Sequence, residues 1–141
     1  MGPPATRHIS IRNDLAELGR LAETLRGFCR DQGVDDEACH DLLLAMDETV
    51  SNTIRHGYSD HDPHEILVRV GLENRELFLE VEDDARPFNP LEAPEPDVSR
   101  PAEERPLGGL GIHLVRQLMT GVEYRHQGGR NVLRMTRRLG G

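Results

Sequence analysis

The stretch "LLLAMDETVSNTIRHGY", residues 42–58, has the spacing of an amphipathic helix whose two faces carry different chemistry. At about 100° per residue, its large apolar side chains fall within an arc of roughly 120°, which predicts a face packed on a core. Glu48 and Asn52 lie nearly opposite, one turn apart and with Asp41 between them, so their side chains can converge on one object. A solvated face would also explain these residues, and the pair alone does not decide. The apolar positions are Leu42, Leu43, Met46, Val50 and Ile54.

On the amino-terminal side, "RHISI" (residues 7–11) alternates and predicts a strand with Ile9 and Ile11 on one face. Asn13 or Asp14 is placed to cap a first helix that ends by Gly33. The apolar positions of that helix are Leu15, Leu18, Leu21, Leu25 and Phe28. The opening stretch belongs to a second helix, capped by Asp35 or Asp36 and stopped by Gly57.

On the carboxyl-terminal side, "EILVRVGL" and "ELFLEVED" alternate around a turn at Asn74, which predicts a hairpin. Residues 87–106 hold six of the nine prolines and no apolar period, which predicts a long loop that is either functional or disordered. A glycine-rich entry, "GGLGIHLVRQLM", then leads into a third helix, and a last hairpin turns at residues 127–129. Hairpins combined with grouped helices predict a two-layer α+β sandwich in one domain, residues 1–141.

Composition excludes several classes of function. The net charge of −8 argues against nucleic acid as the main partner. All 17 basic residues are arginine, which excludes a P-loop nucleotide site and an ordinary protein-kinase site, because both place a lysine on the phosphates. The sequence has no apolar run long enough to span a bilayer and no signal-peptide pattern at its start, so we expect a soluble, cytoplasmic protein.

Two further segments carry site chemistry. Asp83 ends a strand in "FLEVEDDARPF", where a carboxylate can accept a hydrogen bond from an exocyclic amine such as that of adenine. Glycines at 108, 109 and 111 open the third helix, where backbone N–H groups and the helix dipole favour phosphate. A turn aspartate and a flexible hinge are the respective alternatives, and each segment alone is weak evidence.

Taken together and in this order, "ETVSN", "DDARPF" and "GGLGI" resemble the N, G1 and G2 boxes of the GHKL ATPase superfamily. Within it, "DETVSNTIRHGY", "RPFNP" and "GGLGIHLVRQLM" are similar to the bacterial anti-sigma-factor serine kinases. The resemblance implies a Bergerat ATP-binding fold: a mixed, mostly antiparallel sheet covered on one face by about three helices. It also implies ATP and Mg²⁺ as cofactors, with residues 89–107 as the ATP lid.

The resemblance implies roles for individual residues. Glu48 matches the general base that takes the proton of a serine or threonine hydroxyl, and Asn52 matches the Mg²⁺ ligand. Asp83 matches the adenine-reading acid, and Thr136 matches a threonine that supports the adenine amine. The other implied ATP-binding residues are Ala85, Phe88, Arg105, Gly108, Gly109, Leu110, Gly111, Ile112 and His113.

Two points bear on this assignment: how the charge of the ATP phosphates is neutralised, and one residue that departs from the family pattern. With no lysine available, an arginine is expected to help Mg²⁺ and backbone amides neutralise the phosphates. Arg105 is preferred over Arg86 and Arg130, and a plain surface charge is the alternative for each of the three. Ala85 stands where the G1 pattern has glycine, at a cost of about 1 kcal/mol if that position needs a positive φ. If the glycine only makes room for adenine, a methyl group is tolerable.

Two functions from different classes follow from the resemblance. The first is an ATP-dependent serine/threonine kinase that phosphorylates an STAS-domain anti-anti-sigma protein and also acts as an anti-sigma factor in partner switching. The second is a Bergerat-fold module that sequesters a sigma factor or other regulator, with nucleotide as a structural ligand. The resemblance also suggests a homodimer.

Two other features receive plainer interpretations. "SDHDPH" (residues 59–64) is interpreted as a solvated turn rather than a metal site, because so short a loop cannot direct all its acids and histidines inward. Cys29 and Cys39 are interpreted as reduced residues in or near the core.

Overall fold

The computed structural model describes residues 5–87 and 109–140, with the backbone alone at 109–112. The predicted lid at 89–107 and the predicted site residues Phe88, Arg105 and Gly108 lie outside the described residues. In chain order the elements are β1 (Ala5–Arg12), a 3-10 turn (Leu15–Glu17), α1 (Leu18–Asp31), α2 (Asp36–His56), β2 (Glu65–Glu73), β3 (Glu76–Asp83), α3 (Gly109–Leu118), β4 (Gly121–Gln127) and β5 (Arg130–Arg138).

The helices begin at the capping residues that the sequence offers. The Asp14 carboxylate accepts a hydrogen bond from the Ala16 N–H at 2.9 Å, so the predicted first helix opens as a 3-10 turn before α1. The Asp35 carboxylate accepts from the Ala38 N–H at 2.7 Å, and α2 ends against Gly57. Each carboxylate satisfies an N–H group that has no partner inside its helix, which explains where the helices start.

The five described strands form one sheet in the order β1-β2-β3-β5-β4, and every neighbouring pair among them is antiparallel. Both predicted hairpin turns are confirmed. Asn74 and Arg75 have φ of 51° and 65°, and Gly128 and Gly129 have φ of 62° and 78°. Two consecutive residues with positive φ make the tight turn whose twist matches that of paired strands.

The core lies between one face of the sheet and the helices. Apolar residues from β1, β2, β3 and β5 point into it, and α1, α2 and α3 pack over them. The two-layer α+β architecture predicted from the sequence is therefore confirmed. The largest fully buried side chains are Phe28, Ile11, Leu21, Leu25, Leu42, Met46, Ile66, Leu77, Leu79, Met135, Val50 and Val68.

Strand register fixes which residues share a face of the sheet. In the β3–β5 pair, Asp83 lies opposite Asn131, and Phe78 lies opposite Thr136. Directly opposed residues of antiparallel strands project to the same face, and successive residues alternate. Asp83 and Asn131 thus lie on the face that bears the core, whereas Phe78 and Thr136 lie on the other face.

Among the helices of the described ranges, none is long and apolar enough to cross a membrane.

Candidate functional site

The polar face of α2 presents a half-buried carboxylate and a half-buried carboxamide, neither of which has a partner in the described part of the chain. Glu48 and Asn52 are both half-buried, and neither makes a hydrogen bond or an ion pair with residues 5–87 or 109–140. Asp41, predicted on the same face, is instead held by the Arg137 guanidinium of β5 at 3.1 Å. The structure thus separates Asp41, which has a structural partner, from the two residues available to a ligand.

The Asn52 side chain fits a magnesium ion that is shared with phosphates. Mg²⁺ keeps most of its coordination shell for water and phosphate oxygens and takes few oxygens from the protein. Asn52 offers a half-buried carboxamide, with the Glu48 carboxylate one turn away. No three His, Cys, Asp or Glu side chains in the described ranges are grouped so as to hold a metal by themselves.

Asp83 ends β3 as a buried, partly satisfied carboxylate. It is 5% exposed, and its Oδ1 accepts hydrogen bonds from Asn131 Nδ2 at 2.9 Å and from the Ala85 N–H at 3.0 Å. Burial raises the pKa of Asp83, while these two hydrogen bonds oppose the rise because they favour the ionised form. Oδ2 has no donor among the described residues, so one carboxylate oxygen remains available to a ligand.

Asn131 is a candidate site residue that the sequence analysis did not name. It is 7% exposed, and besides Asp83 its Nδ2 donates to the carbonyls of Ala85 at 2.9 Å and Arg86 at 3.3 Å. The Tyr124 hydroxyl donates to Asn131 Oδ1 at 2.5 Å, which fixes the orientation of the amide. Asn131 therefore holds both the Asp83 carboxylate and the turn that follows it. The sequence feature that could have indicated this residue is its position directly after "GGR", at the start of the last strand.

The structure does not bring Thr136, predicted to support the adenine amine, together with Asp83. Thr136 pairs with Phe78, five residues along β5 from Asn131, which amounts to roughly 17 Å at the usual rise of a strand. Because successive residues of a strand alternate between its two faces and five is an odd number, Thr136 also lies on the sheet face opposite to that of Asp83. The prediction of Thr136 relied on residue type, whereas the strand register places Asn131 directly opposite Asp83.

Ala85 is accommodated by a glycine from another segment. The described non-glycine residues with positive φ are Asn74 and Arg75, so the position of Ala85 does not require glycine for its conformation. Ala85 is 6% exposed and packs on Gly57, where an added Cβ would lie 2.8 Å from the Ala85 methyl group. The Arg86 N–H donates to the Gly57 carbonyl at 2.9 Å, so the turn after β3 docks on the end of α2.

The remaining predicted residues occupy the following positions. Gly109 opens α3, as predicted, with Leu110, Gly111 and Ile112 in its first turn. His113 is half-buried on α3, with its Nε2 3.2 Å from Gln117 Nε2. Arg86 is exposed, and Arg130 forms an ion pair with Glu82 at 2.7 Å.

A family model described as "Histidine kinase-like ATPase domain" matches residues 11–137. This range contains α2, the Asp83 turn and the start of α3. The chain belongs to this family.

Relatives place this histidine kinase-like ATPase among the protein serine/threonine kinases. It is 29% identical over 133 residues to "Serine-protein kinase RsbW" of Listeria monocytogenes serotype 4a (strain HCC23), covering 91% of this chain and 83% of that protein. It is 31% identical over 114 residues to the protein of the same name from Bacillus cereus (strain AH820), covering 78% and 71%.

A solved structure shares the fold. The crystal structure of the RsbU and RsbW domains of Rv1364c from Mycobacterium tuberculosis matches 98% of this ATPase with a TM-score of 0.69 and 21% identity. The match spans 33% of that longer chain. At this identity the likeness supports the fold alone.

The interpretation of residues 59–64 as a solvated turn misses one residue of the ATPase. His61 and Asp62 are exposed, but the His64 side chain is only 18% exposed and lies between two carboxylates. Its Nε2 is 2.8 Å from Asp60 Oδ1, and its Nδ1 is 3.1 Å from Asp84 Oδ2, in the turn that follows β3. Asp84 lies twenty residues further along the chain, so spacing within the loop carried no signal for this contact.

Proposed function

We propose that this kinase transfers the γ-phosphate of ATP to a serine or threonine hydroxyl of an STAS-domain anti-anti-sigma protein. Glu48 is the general base for the hydroxyl proton. Asn52 holds Mg²⁺, which neutralises charge on the ATP phosphates when it is bound. These roles match the unpaired carboxylate and carboxamide on α2.

The observation that carries the proposal is the contrast along one helix. Asp41 is neutralised by Arg137, whereas Glu48 and Asn52 keep half-buried polar atoms that the described residues leave unused. Because both side chains are only half-buried and no described residue occupies their polar atoms, a hydroxyl group or a metal ion can contact them directly. A general base contributes typically 10²–10⁴-fold to a rate, which justifies keeping an unpaired carboxylate there.

Adenine binds at the opposite end of the site in this proposal. Asp83 accepts the exocyclic amine through Oδ2, and Asn131 fixes the carboxylate by holding Oδ1. The backbone amides at the start of α3, from Gly109 to Gly111, bind the phosphates, because a helix N-terminus favours anions. Arg105, in the proposed lid at residues 89–107, supplies the positive charge that lysine supplies in other kinases.

The cellular role follows from the branch. The protein works as a cytoplasmic, single-domain homodimer that binds a sigma factor and releases it when the unphosphorylated STAS protein competes. Phosphorylation of the STAS protein ends that competition. The net charge of −8 is consistent with protein rather than nucleic acid partners.

The test is the intact mass of a candidate STAS-domain protein after incubation with this protein, Mg²⁺ and ATP. Wild type adds one phosphate. Glu48→Ala lowers the rate by at least about 100-fold, because the hydroxyl loses its base. ATP binding, measured by calorimetry, stays unchanged in this variant.

Asp47→Ala is the matched control, since Asp47 is the neighbouring carboxylate but is exposed. It keeps the wild-type rate. Phosphorylation by Glu48→Ala at the wild-type rate would contradict the assignment of the base. A stable complex without phosphate from the wild type would favour a module that sequesters its partner and uses nucleotide only as a structural ligand.

A further inference from the structure

His64, directly before β2, is held by contacts from several segments. Its Nε2 lies 2.8 Å from Asp60 Oδ1, and its Nδ1 lies 3.1 Å from Asp84 Oδ2. The Tyr58 ring stacks on the imidazole, with a centroid distance of 4.3 Å and an interplanar angle of 23°. The backbone is fixed by Asn13, whose side chain accepts from the His64 N–H at 2.8 Å and whose own N–H donates to the His64 carbonyl at 3.0 Å.

The contacts define the protonation state of this ring. Both acceptors are carboxylates, so both ring nitrogens must carry a proton, which is the imidazolium form. The hydrogen bond to Asp60, followed by that to Asp84, raises the pKa of His64. The other titratable or charged groups around the cluster are His56 at the end of α2, Tyr58 and His61 in the loop, and Asp83 and Arg86 in the turn after β3.

The imidazolium joins the loop that follows α2, through Asp60 and Tyr58, to the turn that follows β3, through Asp84. Asp84 belongs to the turn at residues 83–86, which starts at the adenine-reading carboxylate. On its other side this turn is held by Asn131 and by the Gly57 carbonyl at the end of α2. A cleft of about 400 Å³ lies between that helix end, the loop and the turn, with His64 and Asp84 in its wall.

We propose that His64 is a positioning residue for the nucleotide: its doubly hydrogen-bonded ring fixes the turn at residues 83–86 relative to the helix that carries Glu48 and Asn52. The inference rests on the proposed function, because it assumes that ATP binds at this site. It adds a role for a residue outside the set proposed to bind ATP. When the ring loses its proton, one of the two hydrogen bonds is lost, and the positive charge that attracts the Asp60 and Asp84 carboxylates is lost as well. The turn is then less fixed, and ATP binds more weakly.

The sign of the pH dependence follows from this arrangement. Because the pKa of His64 in the folded protein is raised above its ordinary value, the imidazolium is fully present at lower pH. It is lost as the pH rises through that raised pKa. ATP affinity is therefore expected to fall across this window, in the direction opposite to a defect caused by protonation of Asp83.

The experiment measures binding of Mg²⁺-ATP by calorimetry between about pH 6.5 and pH 9, a range that starts at the ordinary pKa of histidine and extends above it, where a raised pKa lies. At the low end of that range, His64→Gln binds ATP roughly three- to tenfold more weakly than wild type, and its affinity no longer falls with pH through this group. His61→Gln is the matched control, since His61 is an exposed histidine of the same loop. It keeps the wild-type affinity and pH profile.

Two further measurements protect the test against a variant that fails to fold. Asp84→Asn keeps the side-chain shape and removes the charge, and it should reproduce the effect of His64→Gln on affinity. Proton NMR of the wild type should show the His64 ring titrating above the ordinary pKa of a histidine side chain. A His64 ring that titrates at or below the ordinary pKa of histidine overturns the inference, as does a folded His64→Gln with the affinity and pH profile of wild type.

The result also separates the two proposals. If wild type binds no ATP at any pH, the proposed function fails and this inference fails with it. If wild type binds ATP but His64→Gln changes neither affinity nor profile, only the positioning role fails.

Discussion

The two ends of the β3–β5 strand pair bury different kinds of side chain: a polar pair at one end and an aromatic ring at the other. At one end Asp83 and Asn131 are 5% and 7% exposed, and both are hydrogen-bonded into the turn after β3. At the other end Phe78, 2% exposed, lies opposite Thr136 on the sheet face away from the helices. Arginine side chains cover the Phe78 ring: the Cζ atoms of Arg69 and Arg134 lie 5.1 and 4.0 Å from its centroid.

The difference distinguishes a site from a structural contact. Burying a carboxylate and a carboxamide costs free energy that hydrogen bonds only offset, so such a pair is retained where it is needed for another purpose. Burying an aromatic ring under two guanidinium groups stabilises the fold by apolar burial and cation–π attraction, and no carboxylate or carboxamide has to be buried for it. Gly71 makes this packing possible, since a Cβ there would lie 2.2 Å from the Phe78 ring.

The largest effect on ATP affinity is expected from Asn131→Ala. It removes donors to Asp83, Ala85 and Arg86 together with the acceptor of the Tyr124 hydroxyl. We expect ATP affinity to fall at least about tenfold and the free energy of unfolding to fall by about 3 kcal/mol, because buried partners lose their hydrogen bonds. Calorimetry and urea denaturation measure the two. If the folded variant bound ATP as tightly as wild type does, Asn131 would not be part of the nucleotide site.

Phe78→Ala tests the other end. The ring packs on Gly71 and under two arginines, so its loss lowers the free energy of unfolding by about 2 kcal/mol, less than a ring deletion in the main core. ATP affinity at a temperature where the variant stays folded is expected to match that of wild type. A tenfold loss of affinity would show that the two ends are coupled and would break the comparison.

The smallest effect is expected from Thr136→Val, which keeps the shape and branching of the side chain and removes only the hydroxyl. Thr136 is half-buried on the face opposite Asp83. We expect a change in unfolding free energy within about 0.5 kcal/mol and an ATP affinity within about twofold of wild type. A marked loss of ATP affinity would reinstate Thr136 as a nucleotide ligand and contradict the strand register.

Patterns confined to one element were readable from the sequence. The apolar arc of α2, the cap at Asp35 and the turn at Asn74 depend on neighbours a few residues away, and the structure contains all three. The order of the three motifs was also sufficient to identify the family. Local spacing and residue type carry this information because helix and strand periods are fixed by backbone geometry.

Contacts between distant segments were not readable in the same way. The sequence did not show that Asn131, rather than Thr136, lies opposite Asp83, because the register of β5 against β3 depends on the whole sheet and a shift of one residue exchanges its two faces. Asp41 resembled Glu48 and Asn52 on the helix until Arg137, ninety-six residues away, gave it a partner.

The sequence by itself therefore determined the elements, the fold class and the family, because each depends on local pattern. Only the tertiary structure decided that Asn131 holds Asp83, that Gly57 makes room for Ala85 and that His64 reaches Asp84. Those pairings depend on which side chains packing brings within a few ångströms of each other. That outcome is a property of the whole folded chain, which no short segment of sequence specifies.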